Sequence, residues 1–131
     1  FWLSSLSTSV CPTLPPPNEK SASMGWLRSQ FSFTMKSNLE EKQVRELYSS
    51  YYAQEPFVHL LDEKRMPETS SLIGSNGVHL QTAVDSHTSR LLISVAIDNL
   101  GKGAAGQALQ NANLMCGFEE TMGLTSTGIG Q

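Results

Sequence analysis

Three glycines with a chemically suggestive spacing lie in the last third of the chain. Gly101, Gly103 and Gly106 spell G-x-G-x-x-G inside the stretch LLISVAIDNLGKGAAGQALQNANLM. This spacing is typical of the turn that holds the pyrophosphate of a dinucleotide, where the N–H groups of a helix N-terminus attract phosphate. Lys102 adds a positive charge. The pattern raises the hypothesis of a nucleotide site.

A complete nucleotide-binding unit does not follow these glycines. The dinucleotide fingerprint needs a second parallel strand after the helix and an acidic residue about 20 positions on. After Met115 the sequence continues with CGFEETMGLTSTGIGQ, in which Glu119 and Glu120 come too early and follow no strand. The P-loop pattern fails as well, because its lysine follows the last glycine.

A smooth helix surface is the alternative reason for the glycines. Glycine inside a helix costs about 1 kcal/mol relative to alanine, yet positions 103–106 read GAAG. Such a surface lets another backbone or a flat ligand come close. The amides of Gln110, Asn111 and Asn113 follow and would be costly to bury without partners. We therefore expect something outside this segment to lie against the helix start.

The framework around this helix is read from apolar periodicity. Alternating residues predict strands at QFSFTMK and VHLQTAV, FVHLL is predicted to be a short strand, and RLLISVAI a more buried strand. VHLQTAV and RLLISVAI are expected to form a hairpin around DSHTS. Helices are predicted in NLEEKQVRELYSSYYA, capped by Asn38 with Glu41, and from near Gly103 to a C-terminal Gly117. The order strand, helix, three strands, helix indicates an α+β fold with a mixed or antiparallel sheet and helices on one face.

Apolar residues form a stripe on each predicted helix, and the face of the last helix is expected to meet a partner outside this chain. The stripe of the first helix consists of Val44, Leu47, Tyr48, Tyr51 and Tyr52. The stripe of the last helix consists of Ala105, Ala108, Leu109, Ala112 and Met115.

Composition excludes several classes of function. The net charge is −3 and 16% of residues are charged, so we expect no nucleic-acid partner. The longest apolar run, 91–97, is strand-sized, and we expect no membrane partner. Cys11 and Cys116 match no metal spacing, so we predict no metal site. Two free thiols or a disulfide both remain open.

The chain divides into three parts. Residues 1–29 are rich in Ser, Thr and Pro and are predicted to be irregular, either disordered or outside the true protein sequence. Residues 30–124 are predicted to form the domain, and residues 125–131 a frayed tail. The opening FWLSSLSTSV has neither an initiator Met nor signal-peptide features, which suggests a piece of a longer chain.

The segments EPFVHLL, GSNGVHLQTAVD and AIDNLGKGAAGQALQNANLMCGFEETMGL resemble the C-terminal part of N-acetyl-gamma-glutamyl-phosphate reductases. The resemblance runs from about Asn38 to Leu124, and its most specific block is Asp98 to Ala108. Position 101 is commonly Val or Thr in that family, which makes the G-x-G-x-x-G spelling incidental to this sequence. The resemblance implies a catalytic and dimerisation domain like that of glyceraldehyde-3-phosphate dehydrogenases.

The resemblance also implies a reaction and its partners. Enzymes of this family are cytoplasmic homo-oligomers of arginine biosynthesis that use NADP, bound by an N-terminal Rossmann domain against which the last helix packs. A cysteine attacks an acyl phosphate, NADPH reduces the thioester, and a histidine acts as acid and base. The nucleophile and the histidine lie upstream in the family, so this chain is predicted to contain no catalytic residue.

The transferable site residues lie in two loops. By resemblance Asn99 faces the nicotinamide, Gly103 and Gly106 permit close approach, and Lys102 lies near a phosphate of cofactor or substrate or else on the solvated surface. Ser75 and Asn76 match a family signature at the active-site end of the sheet.

Other candidate residues are given structural roles. His59, His79 and His87 are predicted to be structural or surface residues, and neither cysteine is predicted to be the nucleophile.

The N-terminal part departs from the family pattern. Met24 stands where the family has Arg, and the spacing of the family's F-T-P-x-L-x-P stretch is lengthened in VCPTLPPPNEKSASMGWL. Two hypotheses follow. One is the C-terminal portion of a reductase, inactive on its own. The other is a non-catalytic remnant or interaction module that associates through its exposed sheet and helix.

Overall fold

The computed structural model describes residues 26–35 and 39–128. Within them, four strands form one sheet, accompanied by two α-helices. The elements are β1 (Trp26–Thr34), α1 (Glu41–Tyr51), β2 (Val58–Leu60), β3 (Val78–Asp85), β4 (Arg90–Asp98) and α2 (Gly106–Cys116). A 3₁₀ turn, Ser70–Leu72, precedes β3, and a π-helical turn, Gly101–Ala105, precedes α2. The predicted α+β class with a mixed sheet is confirmed.

The sheet has the strand order β1-β4-β3-β2. The central strand β4 is antiparallel to both of its neighbours, and β2 runs parallel to β3. The predicted hairpin is therefore present, with Asp85 opposite Arg90. Its turn is held by the Asp85 carboxylate, which accepts the His87 N–H at 3.0 Å and the Thr88 hydroxyl at 2.5 Å.

Strand β1 begins earlier than the sequence pattern predicts. It pairs with β4 along its whole length, from Trp26 opposite Asp98 to Thr34 opposite Arg90. The segment before Gln30 has no apolar alternation, so the pairing with β4 rather than the local pattern sets its start. Phe31 and Phe33 lie on one face of this edge strand and remain 40% and 38% exposed.

Helix α1 begins at a different cap from the predicted one. The N-cap is Glu40, whose N–H donates to Gln43 Oε1 at 3.0 Å. The predicted cap, Asn38, lies outside the described residues. The helix contacts β3 and buries Val44, whereas two members of its predicted stripe, Leu47 and Tyr51, are 59% and 75% exposed. The described chain therefore covers only part of the predicted apolar stripe.

The buried apolar core is small for a chain of this length. Among the described residues its members are Val44, Phe57, Leu72, Leu80 and Ala96. Large apolar side chains remain exposed on β1, on α1 and along α2. Surfaces of this kind mark places where another lobe or subunit packs.

The C-terminal end of α2 matches the prediction. Gly117 adopts φ 72°, the left-handed conformation of a helix C′ glycine, and its N–H donates to the Leu114 carbonyl at 3.3 Å. Beyond the helix, residues 125–127 are exposed, but Gly128 is buried so closely against Ser71 that an added β-carbon would lie 2.3 Å from the Ser71 carbonyl oxygen. The frayed tail predicted for residues 125–131 stays a prediction, and residues 129–131 lie outside the described part.

Replacing Gly117 with alanine isolates the backbone contribution of this cap. No atom lies within 4 Å of the β-carbon that Gly117→Ala would add, so packing is unchanged. The left-handed backbone remains unfavourable for alanine, and we expect a loss of about 1 kcal/mol in the free energy of unfolding. Urea denaturation followed by circular dichroism measures it, with Thr125→Ala as an exposed control. Unchanged stability would mean that the helix does not end in this conformation.

A histidine pair joins β2 to β3. His59 and His79 are directly opposite in the parallel register, and their ring centroids lie 6.2 Å apart at 78°. Burial lowers the pKa of His79, His59 and Arg65 lower it further, and Glu68 opposes the shift.

The lowered pKa of His79 predicts how stability depends on pH. The folded protein binds this proton less readily than the unfolded chain does, so stability is greatest above the ordinary histidine pKa of about 6.5 and falls as pH decreases through it. Urea denaturation over a pH series should show this decrease, and His79→Gln should reduce it. His87→Gln, in the exposed turn, is the control. If the free energy of unfolding fell equally with pH in His79→Gln and in the parent, His79 would not be the cause of the decrease.

Candidate functional site

One carboxylate connects the end of the sheet to the loop before β3. Asp98, the last residue of β4, is 7% exposed. Its Oδ2 accepts the Gly74 N–H at 2.8 Å, and its Oδ1 accepts the Leu100 N–H at 3.0 Å. Asp98 therefore fixes the loop that carries Ser75 and Asn76 next to the start of the last helix.

The last helix opens with a wide turn. The Ala105 N–H donates to the Leu100 carbonyl at 3.3 Å, and the Gly106 N–H donates to the Gly101 carbonyl, both five residues back. Such π-type turns occur frequently at functional sites. The helix predicted from near Gly103 thus begins with π geometry at Gly101 and continues as α2 from Gly106.

Each glycine of the G-x-G-x-x-G spelling lies against a polar atom of the same chain. A β-carbon at position 101 would lie 2.7 Å from the Ser75 carbonyl oxygen, and one at 103 would lie 2.6 Å from Asn99 Oδ1. At Gly106 it would lie 2.2 Å from Asn76 Oδ1. Because these glycines have no side chain, neighbouring loops of the same chain can pack directly against the helix start. At position 101, a side chain such as the family's Val or Thr would require the Ser75 loop to shift from its place in this structure.

A buried amide joins the loop to the helix. Asn76 is 4% exposed, and its Nδ2 donates to Gln110 Oε1 at 3.0 Å. Lys102 Nζ donates to the same oxygen, and Gln110 Nε2 donates to Glu120 Oε1. Asn76 Oδ1 is buried without a hydrogen-bond partner in the described structure. It lies beside an open cavity of about 330 Å³ whose lining includes Asp98 and Gly106.

Lys102 points inward. Besides its bond to Gln110, its ammonium lies 5.2 Å from the centroid of the Phe57 ring, within the range of a cation–π contact. Burial lowers the pKa of Lys102, while Glu120 and Glu55 oppose the shift. Lys102 is half-buried, and its role toward a phosphate of cofactor or substrate stays a prediction.

Ser75 serves the loop itself. It is 7% exposed, its hydroxyl donates to the Leu72 carbonyl at 2.9 Å, and its Oγ accepts the Gly77 N–H at 3.2 Å. These bonds hold the loop that presents Asn76. The role of Ser75 toward a substrate stays a prediction.

The face of α2 that the described chain buries is the polar one. Gly106 and Asn113 are its buried residues. Asn113 Nδ2 donates to the carbonyls of Glu120 and Met122 at 3.1 and 2.9 Å, so this amide and that of Gln110 find partners inside the chain. The predicted apolar stripe is exposed instead: Ala105, Ala108, Leu109, Ala112 and Met115.

The exposed opening of the helix forms a flat surface, which we call the shelf. It consists of Asn99, Ala104, Ala105, Gln107 and Ala108, all of which are exposed. Nothing in the described chain covers these residues, and Gly103 next to them is only partly buried. The expectation that an outside surface lies against the helix start depends on this shelf.

Sequence reasoning missed three residues that build the site. Asp98, Gln110 and Glu120 hold the loop, the lysine and the C-terminal turn together. A usable signal existed for Asp98, since an acidic residue ending a buried strand needs partners. No spacing rule indicated that Gln110 and Glu120 would meet.

Other candidate residues lie away from the shelf or outside the described part. His59 and His87 are exposed, and Cys116 is an exposed free thiol. Cys11 and Met24 are outside the described residues. In 26–35 and 39–128 no group of three or more His, Cys, Asp or Glu side chains is placed to hold a metal ion. No helix among these residues has the length and apolarity to cross a membrane.

Comparison with known proteins gives consistent matches. The family described as "Semialdehyde dehydrogenase, dimerisation domain" matches residues 22–99. N-acetyl-gamma-glutamyl-phosphate reductase of Moorella thermoacetica is 53% identical over 67% of this chain and 25% of its own length. The enzyme of the same name from Acidothermus cellulolyticus is 48% identical over 72% of the chain and 27% of its own length.

A further match extends over nearly the whole chain. N-acetyl-gamma-glutamyl-phosphate reductase of Corynebacterium aurimucosum is 38% identical over 98% of this chain and 35% of its own length. The chain thus spans 25% to 35% of the length of these curated relatives. The resemblance predicted from the sequence is confirmed.

Proposed function

Because this chain belongs to the semialdehyde dehydrogenase dimerisation-domain family, we propose that it is the C-terminal part of an N-acetyl-gamma-glutamyl-phosphate reductase. The whole enzyme would use NADPH to reduce N-acetyl-glutamyl 5-phosphate to N-acetyl-glutamate 5-semialdehyde in arginine biosynthesis, in the cytoplasm. The isolated chain would be inactive, because the family's Rossmann domain, nucleophilic cysteine and histidine precede the matching segment.

The shelf is the observation that carries this proposal. A helix normally buries apolar residues and exposes polar ones. Here α2 buries Gly106 and Asn113 and exposes Leu109, 43%, and Met115, 86%. This inversion is expected when a second lobe of the same protein covers the outer face. A Rossmann lobe carrying the cofactor fits that requirement.

The residues around the shelf fit one flat face of a nicotinamide. Asn99 is exposed, and its Oδ1 lies so close to Gly103 that only glycine leaves it in place. We assign Asn99 and Gly103 to direct contact with NADPH, which supplies a hydride when bound. Lys102 and Gly106 support the cofactor site without touching the nicotinamide. Lys102 is held by its hydrogen bond to Gln110, and Gly106 is covered by Asn76.

The exposed sheet face supplies a surface for a homo-oligomer. Phe31 pairs with Ile93 and Phe33 with Leu91, so these four side chains share one face. None of them is fully buried by the described chain. A second subunit covering this face would be consistent with the dimerisation role in the family's name.

Two measurements test the proposal. NADPH fluorescence titration of the 131-residue chain should show no tight binding, and a micromolar dissociation constant would overturn the need for a second lobe.

In the protein that joins this chain to its Rossmann lobe, Asn99→Ala should lower kcat/KM about tenfold, the effect of losing one hydrogen bond worth about 1.4 kcal/mol. Gln54→Ala, which removes an amide at an exposed position after α1, is the matched control. Equal kinetics in both variants would exclude contact at Asn99.

The second candidate function is a non-catalytic module that associates through its exposed surfaces. The same apolar sheet face favours it, since Phe31 and Phe33 are accessible whether or not a Rossmann lobe exists. Sedimentation and turnover measured together separate the two. A chain that self-associates stably and gains no activity when supplied with a Rossmann lobe supports the module.

A further inference from the structure

A small polar cavity lies beside β3, apart from the shelf. Its volume is about 190 Å³, below the range of roughly 300–1,000 Å³ typical of pockets for larger ligands. It shares no lining residue with the shelf. The lining consists of Leu61, Lys64, Arg65, Met66, Glu68, Ser71 and His79.

The two cations of this cavity are not neutralised by the described chain. In residues 26–35 and 39–128 the ion pairs are Lys42 with Glu46 and Arg45 with Glu63, and neither includes Lys64 or Arg65. Glu68 is the acidic residue of the lining. The lining thus carries two cations and one carboxylate, with a histidine and a hydroxyl group as further donors. Asp62 and Glu63 precede the cations on the same loop, and Glu63 pairs with Arg45.

Hydrogen bonds from Gln81 on β3 hold the loop that carries Lys64 and Arg65. Gln81 Nε2 donates to the carbonyls of Asp62 and Arg65, both at 2.7 Å. The Arg65 N–H donates back to the Asp62 carbonyl at 2.9 Å. Arg45 fixes Leu61 and Gln81 in the same network. The backbone under both cations is thus fixed, which lowers the cost of ordering them around a ligand.

We propose that this cavity binds a phosphate group through the side chains of Arg65, Lys64, Ser71 and His79. A guanidinium presents paired N–H donors that match phosphate geometry, and a lysine adds a point charge. Four donor side chains exceed what a planar carboxylate needs, and they suit a tetrahedral anion. The lowered pKa of His79, to which Arg65 contributes, is consistent with a positive field that an anion would relieve.

Histidine NMR provides a local readout on the full chain. Inorganic phosphate, titrated at constant ionic strength with chloride, should shift the His79 ring signals to saturation and raise its pKa. Arg65→Gln should weaken binding about tenfold or more, since a charge-assisted hydrogen bond is lost. Glu68→Gln should strengthen binding, and Lys42→Gln, an exposed lysine elsewhere, should leave it unchanged.

The outcomes separate the alternatives. A shift that does not saturate, or equal binding by Arg65→Gln with a native amide spectrum, overturns the proposal. Acetate binding as tightly as phosphate also overturns it, because the site would then select a carboxylate. Phenyl phosphate distinguishes two sources of the same group: binding equal to phosphate identifies a phosphate ester as the ligand, and weaker binding identifies the free ion.

Discussion

Asp98→Ala is expected to lower the free energy of unfolding by about 3 kcal/mol, because both N–H groups that its carboxylate accepts lose a charged partner. Domains of this size are stable by only about 5–15 kcal/mol, and the apolar core here is small. The variant should therefore remain folded in water but lose a large share of its stability. Urea denaturation followed by circular dichroism gives the change as a shift in midpoint at a constant slope.

Two further variants define what Asp98 contributes. Asp98→Asn keeps one accepting oxygen and places an amide donor against the second N–H, so we expect an intermediate loss of about 2 kcal/mol. Asp62→Asn makes the same chemical change in an exposed loop, where only the main-chain carbonyl is engaged. It should stay within about 0.5 kcal/mol of the parent. Equal effects of Asp98→Asn and Asp62→Asn would show that Asp98 does not hold the loop.

Gly106→Ala is expected to destabilise the protein although alanine is the better helix former. Propensity alone would favour alanine by about 1 kcal/mol. The new β-carbon, however, would lie 2.2 Å from Asn76 Oδ1 and 2.9 Å from the Gly101 carbonyl oxygen. Overpacking of this kind costs about 1–3 kcal/mol. Asn76 is already buried, and the carbonyl accepts the Gly106 N–H, so we expect a net loss of about 2 kcal/mol in the free energy of unfolding.

A double-mutant cycle tests the cause of that loss. If Asn76 is the obstacle, Asn76→Ala combined with Gly106→Ala should be more stable than the sum of the single changes implies, by about 1 kcal/mol. Ala108→Ser on the exposed side of the same helix is the control, with an expected cost of about 0.5 kcal/mol. A Gly106→Ala variant more stable than the parent would mean that the loop does not approach the helix.

The fold could largely be predicted from the sequence because its strands obey simple periodicity. The run around Leu80 alternates, the run around Ile93 is a strand-sized apolar stretch, and a short polar turn separates them, so the central hairpin follows from local pattern. Strand β1 shows the limit of this approach. Its start at Trp26 depends on a partner at Asp98, far along the chain, and local periodicity carries no such information.

The orientation of α2 could not be predicted, for a physical reason. Periodicity assigns apolar residues to the nearest core, which assumes that the core lies in the same segment. Asn113 is buried because two carbonyls of the following turn accept its amide protons. Leu109 and Met115 remain outside. Such side-chain to backbone bonds have no signature in residue spacing.

The candidate site was only partly accessible to sequence reasoning. The loop residues Ser75 and Asn76 and the helix start are adjacent in the fold, although position alone could not show that Asp98 joins them. The inward direction of Lys102 follows from Phe57 and Gln110. It could not be predicted because both partners depend on the tertiary arrangement. The roles of these residues toward a cofactor stay predictions.

The position of β1 has a consequence for synthesis at the ribosome. This strand emerges before β4, to which it pairs, because β4 is translated more than fifty residues later. The β3–β4 hairpin is local and can form quickly, whereas β1 must close a long loop before it gains any bond. Until then Phe31 and Phe33 stay available to neighbouring chains, which favours aggregation. Nascent chains should therefore engage chaperones between the emergence of β1 and that of β4, and be released once β4 has emerged and paired.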